Sequence, residues 1–173
     1  KHGKRYASGT LVQVMVEQPK YYYKIVPLTL EPIANGVGYH MRKFRAYISD
    51  KPKLGFKLHP AFMRDGVVKE YIYRSAYEGS IYDSSAKAYL LEDEQVADFT
   101  ADMLCSIANA KPASGSRQNL NRTNSRILAT NRGAGWQLDD CFTAYSDLLL
   151  FLVEYASFDT QALIGKGVTE FVG

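Results

Sequence analysis

The chain has 173 residues, a mass of 19.4 kDa and a formal net charge of +3 from 21 basic and 18 acidic side chains. With 46% apolar and 23% charged residues it has the composition of one globular domain, not of a disordered segment or a strongly basic nucleic-acid binder. Its longest unbroken apolar run, Leu148 to Val153, falls far short of the ~20 residues a membrane span needs, and no signal-peptide core lies near the start.

In chain order, Thr10 to Glu17 reads as a mostly buried strand, and Lys20 to Val26 as a second strand that Pro27 stops. Pro32, Asn35, Gly36 and Gly38 give Glu31 to Gly38 turn chemistry. Val37 to Ser49 is charged and alternating, either an exposed strand or a loop edge. Asp50-Lys51-Pro52 is a turn, Gly55 to Pro60 a short extended piece, and Asp65-Gly66 a tight turn with positive φ at the glycine. Lys69 to Tyr82 is the strongest strand pattern. Tyr71, Tyr73 and Ser75 share one face, Ile72, Arg74 and Ala76 the other, and Gly79 marks a bend or bulge.

Beyond residue 90 the pattern turns helical. Glu92 to Ala101 suggests one helical turn, and Lys111 to Gln118 a loop. Asn119 or Asn121 can cap a helix running to about Asn131, with Leu120, Thr123, Ile127 and Leu128 inward and Gly133 just past its end. Asp139 or Asp140 caps a second helix. Its apolar stripe of Cys141, Ala144, Tyr145, Leu148, Leu152 and Tyr155 is widened by Phe142, Leu149, Val153 and Ala156, which predicts a central, buried helix. Gly165, Gly167 and Gly173 mark loop structure to the end.

Thirteen of 22 aromatic residues are tyrosine, concentrated in the first half. Sheet packing accounts for most of them, with a few left for a binding face. Arg117, Arg122, Arg126 and Arg132 form a basic run whose ordinary reading is a solvated helix face. Cys105 and Cys141 fit no metal spacing and read as two separate thiols from a reducing compartment. No hydrolase, zinc, phosphate-loop or calcium-loop motif is present, and His59, before Pro60, reads as a packed strand-end residue. The link Asn131 to Gln137 is more distinctive. It carries the single tryptophan, Trp136, which is either a core plug between helices or a partly exposed aromatic platform.

Three blocks carry a resemblance. Met15 to Ile25 (MVEQPKYYYKI), Gly55 to Asp83 (GFKLHPAFMRDGVVKEYIYRSAYEGSIYD) and Asn131 to Thr169 (NRGAGWQLDDCFTAYSDLLLFLVEYASFDTQALIGKGVT) together resemble tail-associated structural proteins of bacteriophages. Those domains are similar to the C-type-lectin-like fold, in the branch shared with formylglycine-generating enzymes and retroelement-diversified phage receptor binders. The resemblance implies an α+β, C-type-lectin-like fold, a twisted antiparallel sheet packed against two helices. It also implies a single domain over 1–173. Against that fold, a chain that stops after Gly173 is expected either to be a fragment lacking the last core strands or to have a shortened end. The calcium-lectin triplets are absent, and neither cysteine has the context of the formylglycine enzymes' catalytic pair, so no metal, cofactor or enzymatic activity is implied.

The function expected from this resemblance is a non-catalytic tail or fibre protein of the virion, made in the bacterial cytoplasm, that binds a bacterial surface glycan or protein receptor. Its partners would be other virion tail proteins and further copies of itself, a trimer included, with neither nucleic acid nor membrane insertion. The rival readings are a purely structural tail or baseplate component and a cell-wall glycan hydrolase. Receptor surfaces combine rigid aromatics with adaptable polar side chains. The candidate contact residues are therefore Asn131, Arg132, Trp136 and Asp139 in the link, then Tyr71, Tyr73 and Tyr77 on the strand.

Overall fold

The computed structural model describes residues 13–114 and 117–165. They form two compact units, each assembled from two stretches of sequence: 13–18 with 73–138, and 19–72 with 139–165. Each unit mixes strands and a helix core, so the division does not follow the strand-rich and helix-rich halves of the sequence. The protein is mixed α and β, with ten strands in four small sheets among the described residues and three helices. The paired strands whose register is defined are antiparallel. The expected single sheet with two helices is thus replaced by several short sheets and a third helix.

In the first unit, β1 (Met15–Pro19) pairs with β7 (Tyr71–Ser75), two strands in which the chain passes between units. The first three residues of the predicted leading strand lie outside the described residues. β8 (Ser80–Asp83) is the centre of a sheet with β9 (Ala88–Tyr89) and β10 (Met103–Cys105). The predicted long strand over 69–82 is broken between β7 and β8. There the Tyr77 N–H donates to Ser106 Oγ at 3.1 Å, and the Gly79 carbonyl accepts from Ala113 N at 2.7 Å. These bonds point away from a continuous ladder and let β8 join a different sheet. Residues 92–101 form turns rather than a helical turn.

Helix α1 (Arg122–Thr130) starts at Asn121, whose side chain accepts from Asn124 N. Leu128 and Ala129 are its buried residues, while Thr123 and Ile127 face solvent. Leu128 packs with Ile81, Leu90 and Ala97 to make the core of this unit.

In the second unit, β2 (Tyr22–Pro32) is flanked by β3 (Tyr39–Ser49) and β4 (Lys57–Leu58). The ambiguous charged segment is therefore a strand. Pro27 does not stop β2, which continues with a register shift between Pro27 and Thr29. β4 pairs only with Tyr22 and Tyr23, so at Pro27 one side of the strand needs no N–H, which is where a strand tolerates proline. β5 (Met63–Arg64) and β6 (Val67–Val68) form a hairpin around the predicted tight turn. Asp65 and Gly66 both have positive φ, 51° and 76°, as a type I′ turn requires.

Helix α2 (Cys141–Tyr155) is capped by Asp140, which accepts from Phe142 and Thr143 N–H groups in a capping box. Its buried residues are Thr143, Ser146 and Leu149, so the predicted inward stripe is on the wrong face. Cys141, Ala144, Tyr145, Leu148 and Tyr155 are exposed. Every position from Leu148 to Val153 is apolar, which removes the periodic contrast that would orient a helix. Two small polar residues are buried instead: Ser146 bonds to Tyr21, and Thr143 closes the capping box with Asp140. Leu149 packs with Tyr21, Ala61 and Phe62 in the core of this unit. A short helix, α3 (Thr160–Ile164), follows where loop was expected; Gly167 and Gly173 lie outside the described residues.

Candidate binding surfaces

The interhelix link holds its polar side chains against its own unit. Asn131 Nδ2 donates to the carbonyls of Phe99 (3.0 Å) and Asp102 (2.8 Å). Arg132 Nη1 donates to the Leu104 carbonyl at 3.2 Å and to Cys105 Sγ at 2.9 Å. The Arg132 guanidinium also lies over the Trp136 ring, 4.9 Å from its centroid, a cation–π arrangement. Trp136 is half-buried, neither a core plug nor a bare platform. Cys105 is buried, and burial pushes its thiol up, against the opposing pull of Arg132. Asp139 belongs to the second unit, where it is exposed and accepts from Thr143 Oγ1.

The tyrosine candidates differ. Tyr73 is 61% exposed and Tyr77 44%. Tyr73 donates to Glu17 Oε2 at 2.8 Å, which restrains the ring direction on the β1–β7 ribbon. Tyr71, in the second unit, is 52% exposed. The strand alternation was legible: Ile72 and Arg74 are half-buried and the tyrosines point outward. Sheet packing, however, accounts for fewer tyrosines than expected, since seven among the described residues are exposed. One of these, Tyr145, nonetheless packs against His59 and Tyr23.

His59 is fully buried, as its place before Pro60 suggested. Its Nδ1 accepts from Ala61 N, and its ring is enclosed by Tyr21, Tyr23, Phe62 and Tyr145. Burial lowers its pKa to about 4, so it is neutral at physiological pH. It is a packed core residue.

One surface had no sequence signal strong enough to single it out. A groove of about 520 Å³ in the second unit lies between β3 and the end of α2. Every residue from Arg42 to Tyr47 lines it, facing Leu152, Val153, Ala156 and Phe158. Among the described residues no group of three His, Cys, Asp or Glu side chains is arranged to hold a metal ion, and no helix is long and apolar enough to cross a membrane. Comparison with known proteins returned no match: no family model fits the chain, and no curated protein or solved structure is significantly similar to it.

Proposed function

We propose that this chain is a non-catalytic recognition module of a bacteriophage tail or fibre, with a C-type-lectin-like arrangement, that contacts a receptor on the bacterial surface. The three sequence blocks that resemble phage tail proteins support the phage context. The observation that carries the recognition role is the exposure of Tyr73, beside Glu17 on the β1–β7 ribbon, and of Tyr77 just past the end of β7. Rigid amphipathic rings bind at low entropic cost, and both of these are exposed. The link residues Asn131 and Arg132 are committed to internal bonds, so they rank below the tyrosines as contacts. Asp139 and Tyr71 are exposed and serve as further contact candidates on the other unit.

The test is binding of fluorescently labelled protein to a panel of bacterial strains, read by flow cytometry. Strain-restricted binding that disappears in Tyr73→Ala/Tyr77→Ala, with an unchanged melting temperature, supports the role. Equal binding by the variant, or none by the wild type to any strain, counts against it. A second reading, a tail or baseplate component that touches only virion proteins, is favoured by the outer edge of β3, on which no described strand lies. Under that reading the protein would bind tail proteins and no cells.

A further inference from the structure

We propose that the outer edge of β3, with the groove beside it, is a docking site for an extended acidic segment of a partner protein, which adds to the sheet as a fourth strand. This inference rests on the second unit alone and does not depend on the phage reading.

Four observations carry it. First, β3 is 11 residues long and is an outermost strand: the sheet order is β3-β2-β4, and no described strand lies on its other side. Such an edge presents a row of unpaired N–H and C=O groups, the template that strand addition uses. Second, the groove is lined by six consecutive residues, Arg42 to Tyr47. Side chains alternate between faces along a strand, so a hollow over one face would touch every second residue. Contact with all six means that residues of both faces of β3 border the groove, which also extends inward to Leu28 of β2.

Third, the floor is apolar and open. Phe44 and Ala46 are half-buried and Phe158 is 68% exposed, with Phe44 and Phe158 edge-to-face at 6.1 Å. Fourth, β3 carries Arg42, Lys43 and Arg45 with no acidic residue, and no carboxylate lines the groove. Arg42 is paired with Glu31, while Lys43 and Arg45 are exposed.

The charge decides the occupant. Basic side chains are a standard guard against an edge pairing with another copy of itself, because antiparallel self-pairing would set cations opposite cations. The same guard admits an acidic strand. Lys43 and Arg45 share one face, Phe44 and Ala46 the other. The fitting segment therefore alternates, with acids opposite Lys43 and Arg45 and apolar residues toward Phe44, Ala46 and Phe158.

The experiment uses an eight-residue fluorescent peptide alternating glutamate with valine or leucine, titrated with the full chain and read by anisotropy. Two further peptides carry N-methyl groups on the odd or on the even backbone nitrogens. Saturable binding is expected, weakened at least tenfold by Lys43→Glu/Arg45→Glu and by one methylation pattern but not the other. Only the nitrogens facing β3 matter in a ladder. Phe158→Ala, a change at an exposed ring, should weaken binding several-fold and covers the case in which the charge reversal fails to fold. The proposal is overturned if both methylated peptides bind like the parent, if the folded charge-reversed protein binds unchanged, or if a sulfated dextran fragment binds more tightly than the peptide.

Discussion

Tyr21 and Ser146 share a buried hydrogen bond, their hydroxyl oxygens 2.9 Å apart, which ties the approach to β2 to the inner face of α2. Tyr21 is 6% exposed and Ser146 fully buried, and the tyrosine hydroxyl also reaches the Ser146 carbonyl at 3.3 Å. Tyr21→Phe should destabilise by about 1–2 kcal/mol, the cost of disrupting a buried pair. Ser146→Ala should cost about 1 kcal/mol, and the double variant less than the sum, measured by urea denaturation. Burial, opposed by the Ser146 bond, pushes the Tyr21 phenol up to about 12. The unfolded chain loses that proton first, so stability should fall as pH rises from 10 towards 12. That fall should be smaller in Tyr21→Phe.

The two neighbouring leucines of α2 should behave very differently. Leu149 is 1% exposed and sits among Tyr21, Ala61 and Phe62, so Leu149→Ala should cost about 2–5 kcal/mol. Leu148 is 39% exposed, and Leu148→Ala should cost roughly 1 kcal/mol or less. Thermal denaturation of the pair decides which helix face is inward. Equal losses would contradict the orientation described above.

Acid should destabilise the second unit before its carboxylates titrate. Burial holds His59 neutral to about pH 4, against 6.5 in the unfolded chain. Below pH 6.5 the unfolded state therefore binds the extra proton, and stability falls as pH drops towards 4. The full loss is roughly 3 kcal/mol, from the separation of the two values. Denaturant midpoints measured between pH 7 and 4 should show this slope, and His59→Gln should flatten it. Asp140 acts lower. Burial opposes its ionisation, but the Arg64 guanidinium and the helix N–H groups outweigh that and hold it at about 2. Its contribution is present above 3.8 and is lost as pH falls through 2.

Substitution of the link should affect folding more than recognition. Arg132→Ala removes two bonds to the β10 strand and the cation over Trp136, and should cost about 2–3 kcal/mol. Trp136→Ala should lower the melting temperature of the chain while cell binding by the remaining folded protein persists. Loss of binding with an unchanged melting temperature would instead make Trp136 a contact residue.

Local chemistry was legible wherever a few adjacent residues decide the conformation. Asn121 and Asp140 cap their helices with their own side chains, Asp65-Gly66 makes its turn, and Tyr71 to Ser75 alternates as written. In the link, the residues singled out do come together, but as a brace: Asn131 and Arg132 bond to carbonyls some 30 residues earlier in the chain, which no local pattern announces. Pro27 misled because its effect depends on whether a neighbouring strand needs its missing N–H, and β4 ends before reaching it.

The sequence by itself determined the mixed α and β class, the positions of α1 and α2, and the alternation that turns Tyr71 and Tyr73 outward. These follow from propensity, capping and period, which act over a few residues. Only the tertiary structure decided which face of α2 is buried, how the described strands divide among four sheets, and that β3, with its basic side chains, is outermost among them. An almost wholly apolar helix has no preferred side until a partner such as Tyr21 bonds to Ser146. A strand likewise carries no mark of being outermost until every other strand has found its place.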